Sequence, residues 1–191
     1  MDATAGPCLD GPTLDEAIKL ASRAHTGQAD KAGDEYIGHP LRVMRTVATS
    51  AAAAGVDPLH ARMAAVLHDV VEDSDVTLAD LRAAGYPVAV VAAVDALTHP
   101  EAEPTEAYLA RVAADPIAVV VKRADMADNS DPARLARLPA EAADRYALRY
   151  AGRRRLLDDL VAARERTGGD SADGGPADGG SAGGGSADGG Q

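Results

Sequence analysis

Two short segments concentrate side chains that bind metals and move protons. One is His68-Asp69-Val70-Val71-Glu72-Asp73, the other Lys122-Arg123-Ala124-Asp125-Met126-Ala127-Asp128-Asn129. An earlier histidine, His39, stands just before Pro40, at an expected helix start. Ala64, Ala65, Val66 and Leu67 lead into His68, which puts the first segment at the end of an apolar, buried helix. A histidine and an aspartate there are costly unless they are paired or hold a metal. On a continuous helix Glu72 and Asp73 would lie on the same side as His68 and Asp69. Such groups repel unless a cation or solvent compensates. Asp125 likewise emerges from an apolar run, Ile117 to Val121, with Asn129 one turn further on. Imidazole and carboxylate donors suit Mn²⁺, Fe²⁺ or Zn²⁺. A metal held by two His and two Asp, with open positions, can acidify a water. Glu72 or Asp73 would then handle the proton.

The elements that must position these groups read as helices. Thr13-Leu14-Asp15-Glu16 has the form of a capping box. Pro40 suits the first turn of a second helix, and Asp57-Pro58 opens a third. Thr77 suits the cap of a short helix that Gly85 can end. The Val-rich runs 87–97 and 116–128 fit a buried helix or a buried strand equally well. Ala140 to Arg166 reads as a long final helix carrying Arg153-Arg154-Arg155, expected as a solvated face. No hairpin turn separates alternating runs, so an all-α fold is expected.

Composition narrows the function. The chain has 19 Lys+Arg against 30 Asp+Glu and a formal net charge of −11. That balance argues against a general nucleic-acid binder, which needs a cationic surplus. Aromatics are 3%, with no Phe or Trp, so the core is expected to be aliphatic. The single cysteine, Cys8, excludes an intrachain disulfide framework and any Cys-rich zinc site. The N-terminus lacks the basic and apolar regions of a signal peptide, and no apolar run approaches membrane-spanning length. A cytoplasmic protein without membrane or nucleic-acid partners is expected. The oligomeric state is not legible.

Residues 167–191 are Gly, Ala, Ser and Asp with one Pro, repeating in fives as in Ser171-Ala-Asp-Gly-Gly. Such a segment has too little to bury to offset its ordering entropy. The division expected is an arm at 1–12, a folded domain at 13–166 and a disordered tail at 167–191.

Three ordered motifs resemble one family. Ala24-His25-Thr26-Gly27-Gln28 with Tyr36-Ile37-Gly38-His39-Pro40, then Leu67 through Leu78, then Val121-Lys122-Arg123-Ala124-Asp125 with Asn129, are similar to motifs of the HD-domain phosphohydrolases. Within that family they resemble the hydrolase domain of RelA/SpoT-type alarmone enzymes. The resemblance implies an all-α HD-domain helical bundle with Mn²⁺ held by His39, His68, Asp69 and Asp125. It implies Glu72 and Asp73 as the water-activating pair, and Lys31 and Asn129 as substrate contacts. The implied reaction removes the 3′-pyrophosphate of (p)ppGpp, and the length suggests a stand-alone hydrolase.

The departures fall on base recognition. Asp30-Lys31-Ala32 stands where the long enzymes have Arg-Lys-Ser, whose Arg packs on the guanine. Asp30 offers no cation there, and is expected instead to accept a hydrogen bond from an exocyclic amine. Glu35 replaces a proline, and Asp125-Met126-Ala127-Asp128-Asn129 replaces Asp-Arg-Leu-His-Asn. Alternatives are therefore an HD phosphohydrolase of ppApp, a 5′-nucleotide or a deoxynucleoside triphosphate, and a non-catalytic nucleotide-binding HD module. His25, His60 and His99 are expected to be structural or solvated, and Tyr36 to serve packing.

Overall fold

The computed structural model describes residues 11–169, all of them but the isolated loops helical. The helices are α1 (Leu14–Ala24), α2 (Gly38–Ser50), α3 (Pro58–Leu67), α4 (Val70–Asp73), α5 (Leu78–Ala83), α6 (Val88–Leu97), α7 (Thr105–Ala114), α8 (Pro116–Asn129), α9 (Pro132–Leu135) and α10 (Ala140–Gly169). Among the described residues extended pairing is confined to one isolated antiparallel bridge, Ala29 with Glu35. Cys8 and most of the Gly/Ala/Ser/Asp repeat lie outside the described residues.

Local signals start the helices as their chemistry dictates. Thr13 caps α1 and Glu16 returns the bond to the Thr13 N–H at 2.7 Å, a complete capping box. Asp57, Asp115 and Asp131 cap α3, α8 and α9, each with a proline in the first turn. Both Val-rich runs are helical. Their apolar residues face neighbouring helices on several sides, so tertiary burial overrides the β preference of valine. Helix α10 continues through Thr167 to Gly169, past the boundary expected at 166.

Helix α3 is the centre of the bundle. It packs against α1, α2, α6 and α8. Ala61, Ala64 and Ala65 on α3 are fully buried, and small side chains let four neighbours approach one helix closely. Val43, Val47, Val90, Val94 and Val121 close the aliphatic core around it. Helix α10 covers α7 and α8, burying Tyr150 and Leu157. The open end of the bundle is where α3 stops, α2 starts and α8 ends.

Candidate metal centre and active-site cavity

The first segment is not one continuous helix. Helix α3 ends at Leu67, His68 is its cap, and Asp69 (φ −102°, ψ −2°) begins the separate turn α4. The break turns His68 and Asp69 inward together. His39 enters from the first turn of α2, which begins at Gly38, two residues before Pro40. Asp125 comes from the last turns of α8.

Four side chains meet there. His39 Nε2 lies 3.1 Å from Asp125 Oδ1 and 3.8 Å from Asp69 Oδ2. His68 Nε2 lies 3.0 Å from Asp69 Oδ2 and 3.8 Å from Asp125 Oδ1. Ligands about 2.1 Å from one ion and at right angles to each other would lie about 3.0 Å apart. The donor atoms of His39, His68 and Asp69 fall within 4.8 Å of one another. His68 is 2% exposed, and its Nε2 makes no hydrogen bond of acceptable geometry. A buried imidazole nitrogen aimed at two carboxylates without bonding either is a donor set that a divalent cation satisfies.

The electrostatics carry the same demand. Burial alone would disfavour a charged His68, but Asp69 and Asp125 outweigh it and push its pKa up to about 10. His39 is raised too, because Asp125 and Asp128 outweigh its burial. Against the same burial, His68 holds Asp69 below the usual carboxylate range, and Lys122, His39 and His68 hold Asp125 there. Lys122 Nζ sits 2.8 Å from Asp125 Oδ2, which leaves Oδ1 facing the histidines. Without a metal, the positive charge comes from protons on imidazole.

His39, Asp69 and Asp125 of the cluster line a cavity of about 320 Å³, while His68 stays buried outside its lining. Glu72 and Asp73 line it beside the cluster, and both pKa values are raised, first by desolvation and then by neighbouring charge. Tyr36 Oη donates to Asp69 Oδ2 at 2.5 Å, a polar role that the packing expectation missed. His99, expected to be structural, also lines the cavity, stacked on Tyr108 with ring centroids 4.2 Å apart. Nothing in the sequence around His99 marks it, since the fold alone brings the end of α6 to this wall.

The expected substrate contacts also lie on the cavity. Lys31 Nζ is 3.2 Å from the Tyr150 hydroxyl and 4.6 Å over the Tyr146 ring. Asn129 Nδ2 donates to Asp125 Oδ1. Arg134 and Arg153 add two cations to the lining, so part of the stretch expected to be solvated faces the cavity. Asp30 also lines the cavity, with its carboxylate 5% exposed and held by neighbours. Oδ1 accepts the Ala32 and Asp34 N–H groups, and Oδ2 accepts from Arg134 at 3.0 Å. The loop turn at Gly33 (φ 85°) thus occupies Oδ1, and the acceptor remaining for a base amine is the second lone pair of Oδ2.

The HD domain family matches residues 36–130, which contain all four cluster residues. A GTP pyrophosphokinase of Streptomyces coelicolor is 37% identical over 125 residues, 61% of this chain and 14% of that protein. A human guanosine-3′,5′-bis(diphosphate) 3′-pyrophosphohydrolase is 42% identical over 65 residues, 33% of this chain and 35% of that protein. The chain thus spans a small part of these curated relatives. A solved structure described as a metazoan ortholog of SpoT that hydrolyses ppGpp matches the fold. Its TM-score is 0.55 at 22% identity, covering 82% of this chain and 98% of that one. No helix among the described residues is long and apolar enough to cross a membrane.

Proposed function

We propose that this chain, which matches the HD domain family over residues 36–130, is a metal-dependent phosphohydrolase removing the 3′-pyrophosphate of (p)ppGpp-like nucleotides. The observation that carries the reading is the buried His68 Nε2, without a hydrogen-bond partner, within a His39–Asp69–Asp125 cluster whose other three members line a cavity of about 320 Å³. His39, His68, Asp69 and Asp125 would hold the metal, with Mn²⁺ the preferred ion and Fe²⁺ or Zn²⁺ compatible with the same donors. When bound, the metal supplies Lewis acidity toward water and phosphoryl oxygen.

The chain's own groups divide the remaining work. Burial, and then neighbouring carboxylates, raise the pKa values of Glu72 and Asp73, which suits a group that takes a proton from attacking water and returns one. Water oxygen adds to phosphorus, the bond to the ribose 3′-oxygen breaks, and that oxygen leaves with a proton as pyrophosphate is released. Lys31, Lys122, Arg134 and Arg153 line the cavity and would offset the charge of a polyphosphate. Asn129, already beside Asp125, is placed to meet ribose or phosphate.

The relatives' printed activities support the guanine tetraphosphate as first substrate. The aspartate at position 30, in place of the arginine that packs on guanine in the enzymes it resembles, supports a second reading in which the base differs, such as ppApp. Mn²⁺-dependent turnover of ppGpp and ppApp, with product identification, tests both. Pyrophosphate released from the 3′ position, and lost in His68→Ala, supports the proposal. Turnover confined to 5′-nucleotides, or none with any divalent ion, overturns it.

A further inference from the structure

We propose that Asp128 is a positioning residue that fixes His39 for metal binding, and that Arg42, Arg134 and Asp30 hold Asp128 in that role. The inference rests on the metal centre proposed above. It begins with the two nitrogens of one ring. His39 Nε2 faces the cluster, and Nδ1 faces away, 2.7 Å from Asp128 Oδ2. An ionised carboxylate only accepts hydrogen bonds. Asp128 therefore requires the proton on Nδ1, which leaves the Nε2 lone pair directed at the cluster.

His68 offers an internal comparison. Its Nδ1 donates to the Ala65 carbonyl at 2.8 Å, again an acceptor-only partner. Both histidines are thus set in the same tautomer, one by a neutral oxygen and one by an anionic oxygen. The anionic partner also makes the imidazole a more basic ligand. One turn of α8 supplies both contacts of His39, since Asp125 and Asp128 are three residues apart and share a face.

A carboxylate in this position could instead draw a full proton onto His39 and block metal binding. Two arginines share the charge of Asp128 and moderate that pull. Arg42 donates to Asp128 through Nε at 2.7 Å and Nη2 at 3.2 Å, reaching both oxygens. Arg134 Nη1 lies 2.8 Å from Asp128 Oδ2. Asp128 is therefore paired with two guanidinium groups as well as with His39. Arg134 in turn spans to Asp30 at 3.0 Å, so its second face is also held. The side chains of Asp30 and Asp128 are 5% and 10% exposed, so these pairs are shielded from screening.

The test uses the full chain. Mn²⁺ affinity of wild type, Asp128→Asn and Asp128→Ala is measured by electron paramagnetic resonance titration. In parallel, the Zn²⁺-loaded proteins are examined by NMR for the His39 Nδ1 proton. Asp128→Ala is expected to weaken Mn²⁺ binding by about 10- to 100-fold. Asp128→Asn, whose amide oxygen still accepts from Nδ1, should recover part of that loss. The low-field, exchange-protected Nδ1 proton of wild type should move upfield or exchange away in Asp128→Ala. A folded Asp128→Ala with wild-type Mn²⁺ affinity, or an unchanged Nδ1 resonance, overturns the positioning role alone. If Asp128→Ala does not fold, Asp128→Leu, which fills the volume and has no acceptor for Nδ1, decides in the same way. Wild type that takes up neither ion overturns the metal-centre reading and this inference with it.

Discussion

Glu72 Oε2 accepts the backbone N–H of His99 at 2.8 Å, so a carboxylate on α4 is anchored by the chain leaving α6. Glu72 lines the cavity, near enough to Asp69 to feel its charge. Asp73 has a different neighbourhood, because its backbone carbonyl is held by Gln28 Nε2 at 2.7 Å. The two carboxylates are positioned independently, one by its side chain and one by its main chain.

Glu72→Gln and Asp73→Asn should therefore separate in their effects. Whichever residue moves the proton should lose about 10²-fold or more in kcat while keeping its Mn²⁺ affinity. Both groups have raised pKa values, by desolvation first. The base form is lost as pH falls through a raised pKa, so the acid limb of the wild-type kcat profile should lie above the ordinary carboxylate range. The variant without the base should lose that limb. Wild-type kcat in either variant at saturating Mn²⁺ excludes that residue.

The residues proposed as metal ligands were legible in type and order because each sits in a short local motif at a helix end. The helical class was legible from Thr13, Asp57 and Thr77, whose capping chemistry is local. The break between His68 and Asp69 was not, because nothing in His-Asp-Val-Val forbids a continuous helix. Burial of His68 against α2 and α8 decides it. The network of Asp128 was equally hidden. Its partners Arg42 and Arg134 are 86 residues before it and one helix after it, and only packing of α2 on α8 brings them together. The partners of Asp30 were hidden for the same reason: a loop carboxylate carries no local sign of the arginine that reaches it.

The metal-free protein should lose stability on the alkaline side. His68 has a folded pKa of about 10, raised above the ordinary histidine value by Asp69 and Asp125. Its contribution is complete below the unfolded value, about 6.5, and declines as pH rises through the folded one. Metal binding needs the unprotonated ring, so Mn²⁺ competes with protons less as pH rises. Thermal melts with chelator should show a falling Tm between about pH 6.5 and 9, and the Tm gain from Mn²⁺ should grow over the same window. A metal-induced gain that is constant or larger at the acid end would contradict the assignment of His68.

Asp30→Ala should act on the loop and on Arg134 together. It removes the acceptor for two loop N–H groups and one of the two carboxylates on Arg134. Leaving such donors unsatisfied costs about 1–3 kcal/mol. Asp30→Arg should be worse, since it sets a third guanidinium beside Arg42 and Arg134. Urea melts measure the order wild type, Ala, Arg. An Asp30→Arg chain as stable as wild type, with a simple shift of base preference, would mean that the loop carboxylate is dispensable and the position faces the base.

Lys122 gives the sharpest separation between metal and substrate effects. Its ammonium is held charged by Asp125 at 2.8 Å against the burial that opposes charge, and it lies 5.2 Å over the Tyr108 ring. It faces the cavity as a cation beside a proposed divalent cation. Lys122→Met keeps the length and the apolar stem but removes the charge. Repulsion between Lys122 and the metal disappears, so Mn²⁺ affinity should hold or increase. A charge-assisted contact to a polyphosphate also disappears, worth about 1.5–3 kcal/mol, so KM should rise by about 10-fold or more. Steady-state kinetics at saturating Mn²⁺ and a separate Mn²⁺ titration read the two effects independently. If the titration instead shows weaker Mn²⁺ binding while KM stays at the wild-type value, Lys122 serves only to orient Asp125, and the polyphosphate is bound by the other cations of the cavity.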